Sequence, residues 1–110
     1  MKRVEHIRSV ARAAVFKAMG HPTRVFILEK LQEAPHCVCE LTELIGADMS
    51  TVSKHLAVLR NAGIVQDRKK GTTVYYSLAC SCLGDMLRSA ENIIRSNVEQ
   101  QKESLASLNV

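Results

Sequence analysis

Tryptophan is absent, and aromatic residues make up only 4% of the 110-residue chain. The core must therefore be filled by Leu, Ile, Val, Ala and Met, which suits helix packing better than a β-sandwich. No apolar run reaches the ~18 residues that a membrane span needs, so no membrane partner is expected. The opening Met1–His6 has no apolar stretch of the kind found in a secretory leader, and the expected location is the cytoplasm. Thiols stay reduced there, so the four cysteines are not expected to form a structural disulfide framework. No phosphate-cradling loop, oxyanion motif or pair of catalytic carboxylates appears. Cys37 beside His36 is the one nucleophile-like pairing, in a chain with little room for a substrate pocket, so an enzyme is not expected.

The sequence does hold an ordinary globular balance, 46% hydrophobic and 24% charged, with a net charge of +4. One domain spanning 1–110 is expected. A modest basic excess fits a nucleic-acid partner, because Lys and Arg displace the counterions of phosphates. Apolar residues from Val4 to Ala18 recur at helical spacing, with Arg3, Arg8 and Arg12 opposite. Gly20 ends that helix, and Pro22 opens a second at a position where its missing N–H costs nothing. Val25, Leu28 and Leu31 form the second stripe, which Ala34-Pro35 closes. A short third helix is predicted over about 38–45. Gly46-Ala47-Asp48 makes a tight turn, and Asp48 or Ser50 caps a fourth helix running to about Asn61. After Gly63 the pattern changes to β-branched and aromatic residues, 64–68 and 72–78, around Lys69-Lys70-Gly71. This predicts a two-stranded hairpin with a basic tip. A last helix over about 82–108 carries a continuous apolar stripe, suited to packing on a second subunit.

The order is α-α-α-α-β-β-α, mainly helical with a small hairpin. Two helices joined by a tight turn, about 38–62, and then the hairpin at about 64–78 make a winged helix-turn-helix. The second of those helices is expected to lie in the major groove of double-stranded DNA. Met49, Ser50, Thr51, Ser53, Lys54 and His55 are its candidate contacts, since Val52, Leu56 and Leu59 point inward. In the wing the candidates are Arg68, Lys69, Lys70 and Thr72, able to follow phosphates or enter the minor groove.

Five stretches together are similar to the ArsR/SmtB family of bacterial metalloregulators: Phe16–Arg24, Cys37–Leu41, Ser50–Leu56, Leu59–Val65 and Gly71–Leu78. The resemblance implies a homodimeric repressor, with first and last helices at the dimer interface. It binds operator DNA without a cofactor and leaves when an inducer ion binds.

Residues two apart on a regular helix point in nearly opposite directions (~200° apart). Cys37 and Cys39 are thus able to grip one ion only where a helix begins or is distorted. Pro35 supports a helix start there, where the helix dipole favours thiolate, the form that binds soft ions. The arsenic-sensing branch resembles Glu-Leu-Cys-Val-Cys-Asp-Leu-Cys at this point. This chain reads Pro35-His36-Cys37-Val38-Cys39-Glu40-Leu41-Thr42. Thr42 stands where a third Cys is expected and cannot replace a thiolate. Cys80 and Cys82, a second Cys-x-Cys, are candidate additional ligands, and His36 is a possible nitrogen donor. The inducer implied is As(III), with Sb(III), Cd, Pb or Zn as other thiophilic choices. Thiol redox or reactive-sulfur sensing is the alternative, with a disulfide or polysulfide joining the two pairs. The family's zinc site on the last helix would need His at 87, His at 98 and an acid at 101. Leu87, Val98 and Gln101 stand there, so that site is absent.

Overall fold

The computed structural model describes residues 1–108. They divide into two units, Met1–Cys80 and the segment from Ser81 onward.

In the first unit, α1 (Arg3–Met19) and α2 (Pro22–Glu33) are followed by β1 (His36–Cys37), α3 (Val38–Ile45), α4 (Met49–Asn61), β2 (Val65–Lys70) and β3 (Thr73–Leu78). Pro22 occupies the first turn of α2 as predicted, and His21 caps it, its Nδ1 accepting the Thr23 backbone N–H at 3.1 Å. The α2 stripe is Ile27, Leu28 and Leu31 rather than the expected one led by Val25, which is 40% exposed. Along α1 only Ala18 is buried; Val4, Ile7, Val10 and Phe16 are all exposed.

Gly46 ends α3 in the left-handed region, φ 77°, and its N–H bonds the Thr42 carbonyl. A residue without Cβ adopts that conformation without strain, which lets the chain reverse into α4 within three residues. Ile27, Leu28, Leu41, Val52, Leu56 and Leu59 are fully buried and form the centre of the core. Each such burial stabilises the fold by roughly 1.5–3 kcal/mol. Among the described residues the core contains no aromatic side chain, in keeping with the low aromatic content.

The sheet has three strands, not two. Its order is β1-β3-β2, all antiparallel. β1 pairs His36 with Tyr76 and Cys37 with Tyr75. Two residues are too few to show an alternating pattern, so only the pairing partner defines this strand. The basic tip also shifts: Lys69 and Lys70 belong to β2, Lys70 pairs with Thr73, and the turn is Gly71-Thr72. Gly71 has φ 66°, and glycine leads such two-residue hairpin loops.

The second unit is one helix, α5 (Cys82–Leu108), spanning the range predicted. Ile94, Val98, Leu105 and Leu108 are exposed along it, with ion pairs Glu91–Arg95 and Glu99–Lys102. No helix among the described residues is long and apolar enough to cross a membrane.

Candidate nucleic-acid interface and cysteine site

Helix α4 begins at Asp48, whose side chain accepts the Thr51 backbone N–H at 2.7 Å. That bond holds the Asp48 carboxyl below the usual carboxylate range, so it is ionised and also favours the helix dipole. Val52, Leu56 and Leu59 fix the buried face. In its first two turns Met49, Ser50, Thr51, Ser53 and Lys54 are all exposed. Five of the six predicted α4 contacts therefore share a free surface at the helix N-terminus. It combines an apolar tip, hydroxyls and one cation, groups of the kinds that can meet a thymine methyl, base edges and phosphates.

His55 departs from that group. It is partly buried; its Nδ1 accepts a hydrogen bond from Arg24 Nε at 3.1 Å, and its ring lies 4.5 Å from that of His21. Burial, then the nearness of His21 and Arg24, lower its pKa, so the neutral ring prevails at pH 7. The spacing on α4 alone could not have found this, because its partners lie on α2. The signal was the run His21-Pro22-Thr23-Arg24, with two polar side chains three apart at a helix start.

Arg68, Lys69, Lys70 and Thr72 are exposed on the wing. The pleat sends alternate residues to opposite faces. Gln66, Arg68 and Lys70 share one face with Thr73, Tyr75 and Ser77, their cross-strand partners. Lys69 shares the other with Asp67 and buried Val65. Arg60 on α4 reaches Asp67 on β2 at 3.2 Å. Such an exposed pair contributes only ~0–1 kcal/mol, yet it bridges α4 and the wing and offsets the Arg60 charge locally.

The cysteines form the second feature. Cys37 has extended backbone geometry, φ −82°, ψ 166°, and is the N-cap of α3, its sulfur accepting the Glu40 N–H at 3.3 Å. This is the helix start the sequence demanded, and it brings Cys37 and Cys39 together with 5.3 Å between their Cα atoms. Their sulfurs are joined as a disulfide. The expectation of reduced thiols is thereby corrected: Cys80 and Cys82 are each disulfide-bonded too, and no cysteine among the described residues is free. Cys37 is bonded to its neighbour Cys39, whereas the redox alternative had a bond joining the two Cys-x-Cys pairs. The reason is geometric. The extended cap residue swings its sulfur onto the first turn, where the sulfur two residues on can meet it.

Around the pair, the Glu40 carboxylate lies 3.3 Å from the Cys37 sulfur through one oxygen and 2.8 Å from His36 Nδ1 through the other. The His36 bond is the main cause of a lowered Glu40 pKa. His36 thus faces Glu40 through one ring nitrogen. Thr42, in place of a third sulfur, has a buried hydroxyl oxygen with no hydrogen-bond partner among the described residues. Among the described residues no cluster of three metal-ligating side chains is assembled. The residues present fit a two-sulfur site once the disulfide is reduced.

Comparison with known proteins places these features. A family model described as "Bacterial regulatory protein, arsR family" matches residues 21–67, from the α2 cap to β2. The chain is 35% identical over 82 residues to an uncharacterized helix-turn-helix-type transcriptional regulator of Methanocaldococcus jannaschii, covering 74% of this chain and 92% of that one. It is 43% identical over 75 residues to the arsenic resistance transcriptional regulator of Pseudomonas putida, covering 66% and 59%. The crystal structure of the transcriptional repressor BigR from Xylella fastidiosa superposes with TM-score 0.71 and 30% identity, covering 84% of this chain and 96% of that one.

Proposed function

The chain belongs to the ArsR family of helix-turn-helix transcriptional regulators, and from that premise we propose that it is a homodimeric operator-binding repressor released when a thiophilic ion binds the Cys37 and Cys39 thiolates. As(III) is the ion we favour. The observation that carries the proposal is the convergence of two sulfurs at the N-cap of α3, the first helix of the helix-turn-helix. Soft ions prefer thiolates, and the positive end of a helix dipole lowers a thiol pKa. The relative in Pseudomonas putida is an arsenic resistance transcriptional regulator. Two recognition helices in successive major grooves require a dimer, and the exposed apolar stripes of α1 and of α5 supply surface for one.

The position of the cysteines supports a route to DNA. Cys37 caps α3, which turns through Gly46 into α4, and it also pairs with Tyr75 on the central strand of the wing sheet. An ion that draws Cys37 and Cys39 into its own geometry strains both the reading helix's support and the wing. Emptying an operator needs a coupling of only a few kcal/mol.

The experiment is a DNA-release titration of the reduced protein with arsenite, cadmium and zinc. Wild type should release DNA with at least one ion; Cys37→Ser and Cys39→Ser should bind DNA normally and ignore all of them. Unchanged affinity with both arsenite and cadmium defeats the proposal. Testing Cys80→Ser and Cys82→Ser in the same series shows whether either adds a ligand.

The Cys37–Cys39 disulfide favours a second reading, thiol redox sensing. Two thiols and one hydrogen peroxide give one disulfide and two waters. Peroxide-driven DNA release that dithiothreitol reverses, in the absence of any metal, would select this reading over ion sensing.

A further inference from the structure

We infer that Arg24 is a positioning residue for the DNA-reading helix, with His55 as its hydrogen-bond acceptor on that helix. The inference rests on the reading of α4 as the helix that enters the major groove. Arg24 Nε donates to His55 Nδ1 at 3.1 Å, and its Nη1 donates to the Ala18 carbonyl at 3.2 Å. Ala18 lies in the last turn of α1, where carbonyls have no partner within the helix. One side chain at the start of α2 therefore joins the end of α1 to the middle of α4.

The chemistry fits arginine specifically. A guanidinium presents several N–H groups in a rigid planar fork, so it can serve two acceptors in different directions at once. A lysine ammonium is a compact charge on a flexible stem and has no such fork. The His55 ring also lies against the His21 ring, at 43° between ring planes. His21 is itself held, because its Nδ1 caps α2. Accepting at Nδ1 requires a neutral His55 with its proton on Nε2, and burial favours the neutral ring. The angular setting of α4, and thus the aim of Ser50, Ser53 and Lys54, depends on a contact made outside the helix-turn-helix itself.

The test uses a duplex enriched by the wild-type protein from a random-sequence pool. His55→Asn puts an acceptor where Nδ1 sits, whereas His55→Gln puts its amide where Nε2 sits. Asn should bind that duplex within about twofold of wild type, while Gln and Arg24→Ala should each bind about tenfold more weakly. Arg24→Lys should not rescue. The double variant Arg24→Ala/His55→Ala should be no weaker than the weaker of its two single variants, since both break one contact. All binding is read at a temperature where circular dichroism shows each variant folded. Wild-type affinity in His55→Gln with loss in His55→Asn overturns the inference, as does additivity in the double variant. Nitrogen-15 NMR of the His55 ring in the free protein gives an independent readout, expected to show an unprotonated Nδ1. A protonated Nδ1 refutes the contact even if no duplex is enriched. Failure to enrich any duplex counts instead against α4 as a DNA reader.

Discussion

Replacing Lys69 and Lys70 together by alanine should flatten the salt dependence of operator binding by a calculable amount. Each phosphate neutralised adds about −0.9 to the slope of log K against log salt. The two lysines are adjacent on β2, so the pleat sends them to opposite faces of the sheet. One lysine per wing can then lie against a duplex, giving two per dimer and a slope change of about 1.8. Between about 0.1 and 0.3 M salt, the wild type should lose roughly sevenfold more affinity than the double variant. The single variants should divide unequally, one carrying most of the change. Lys30→Ala is the control for the single variants: like each of them it removes one positive charge, here from α2, where Lys30 is engaged with Glu33 and the Phe26 ring, and it should leave the slope unchanged. The assay is fluorescence anisotropy on a labelled duplex across a salt series. An unchanged slope in the double variant refutes the wing as a phosphate contact. A change near about 3.6 refutes the one-face argument while leaving the wing in place.

Three further outcomes follow from the same structure. Because the folded pKa of His55 lies below its ordinary 6.5, the unfolded chain binds that proton more tightly. The stability it contributes is complete above pH 6.5 and is lost as pH falls below that value toward the folded pKa. The groups facing the ring are His21 and Arg24. Urea midpoints at pH 7.5 and 5.5 should therefore fall more for wild type than for His55→Asn, and equal falls would contradict the assignment. Gly46→Ala meets no atom within 4 Å, so its cost is the left-handed backbone alone, about 1 kcal/mol or a Tm lower by about 3–8 °C. An unchanged Tm would show that the turn relaxes. Leu56→Ala empties a fully buried site on α4 and should cost about 2–5 kcal/mol by urea denaturation; a loss under about 1 kcal/mol would mean the core collapses around it.

Wherever local signals were strong, the sequence decided the outcome. Pro22, Gly46, Asp48 and Gly63 act through their own backbone preferences or through neighbours one to four residues away, so helix starts and stops were legible. Val52, Leu56 and Leu59 repeat with the helical period, which assigned the outward face to Met49, Ser50, Thr51, Ser53, Lys54 and His55 without knowledge of what covers the other side. The need for a helix start at Cys37-Val38-Cys39 was likewise a matter of local geometry. Tertiary structure alone decided matters that depend on segments far apart in the chain. β1 is a strand only because β3 lies beside it, and that pairing ties the cysteines to the wing. His55 has the spacing of a surface residue, but Arg24, thirty-one residues earlier, turns it into an acceptor. Whether Cys37 and Cys39 can meet in one disulfide depends on how closely the cap brings two sulfurs together, a distance that spacing in the chain does not set.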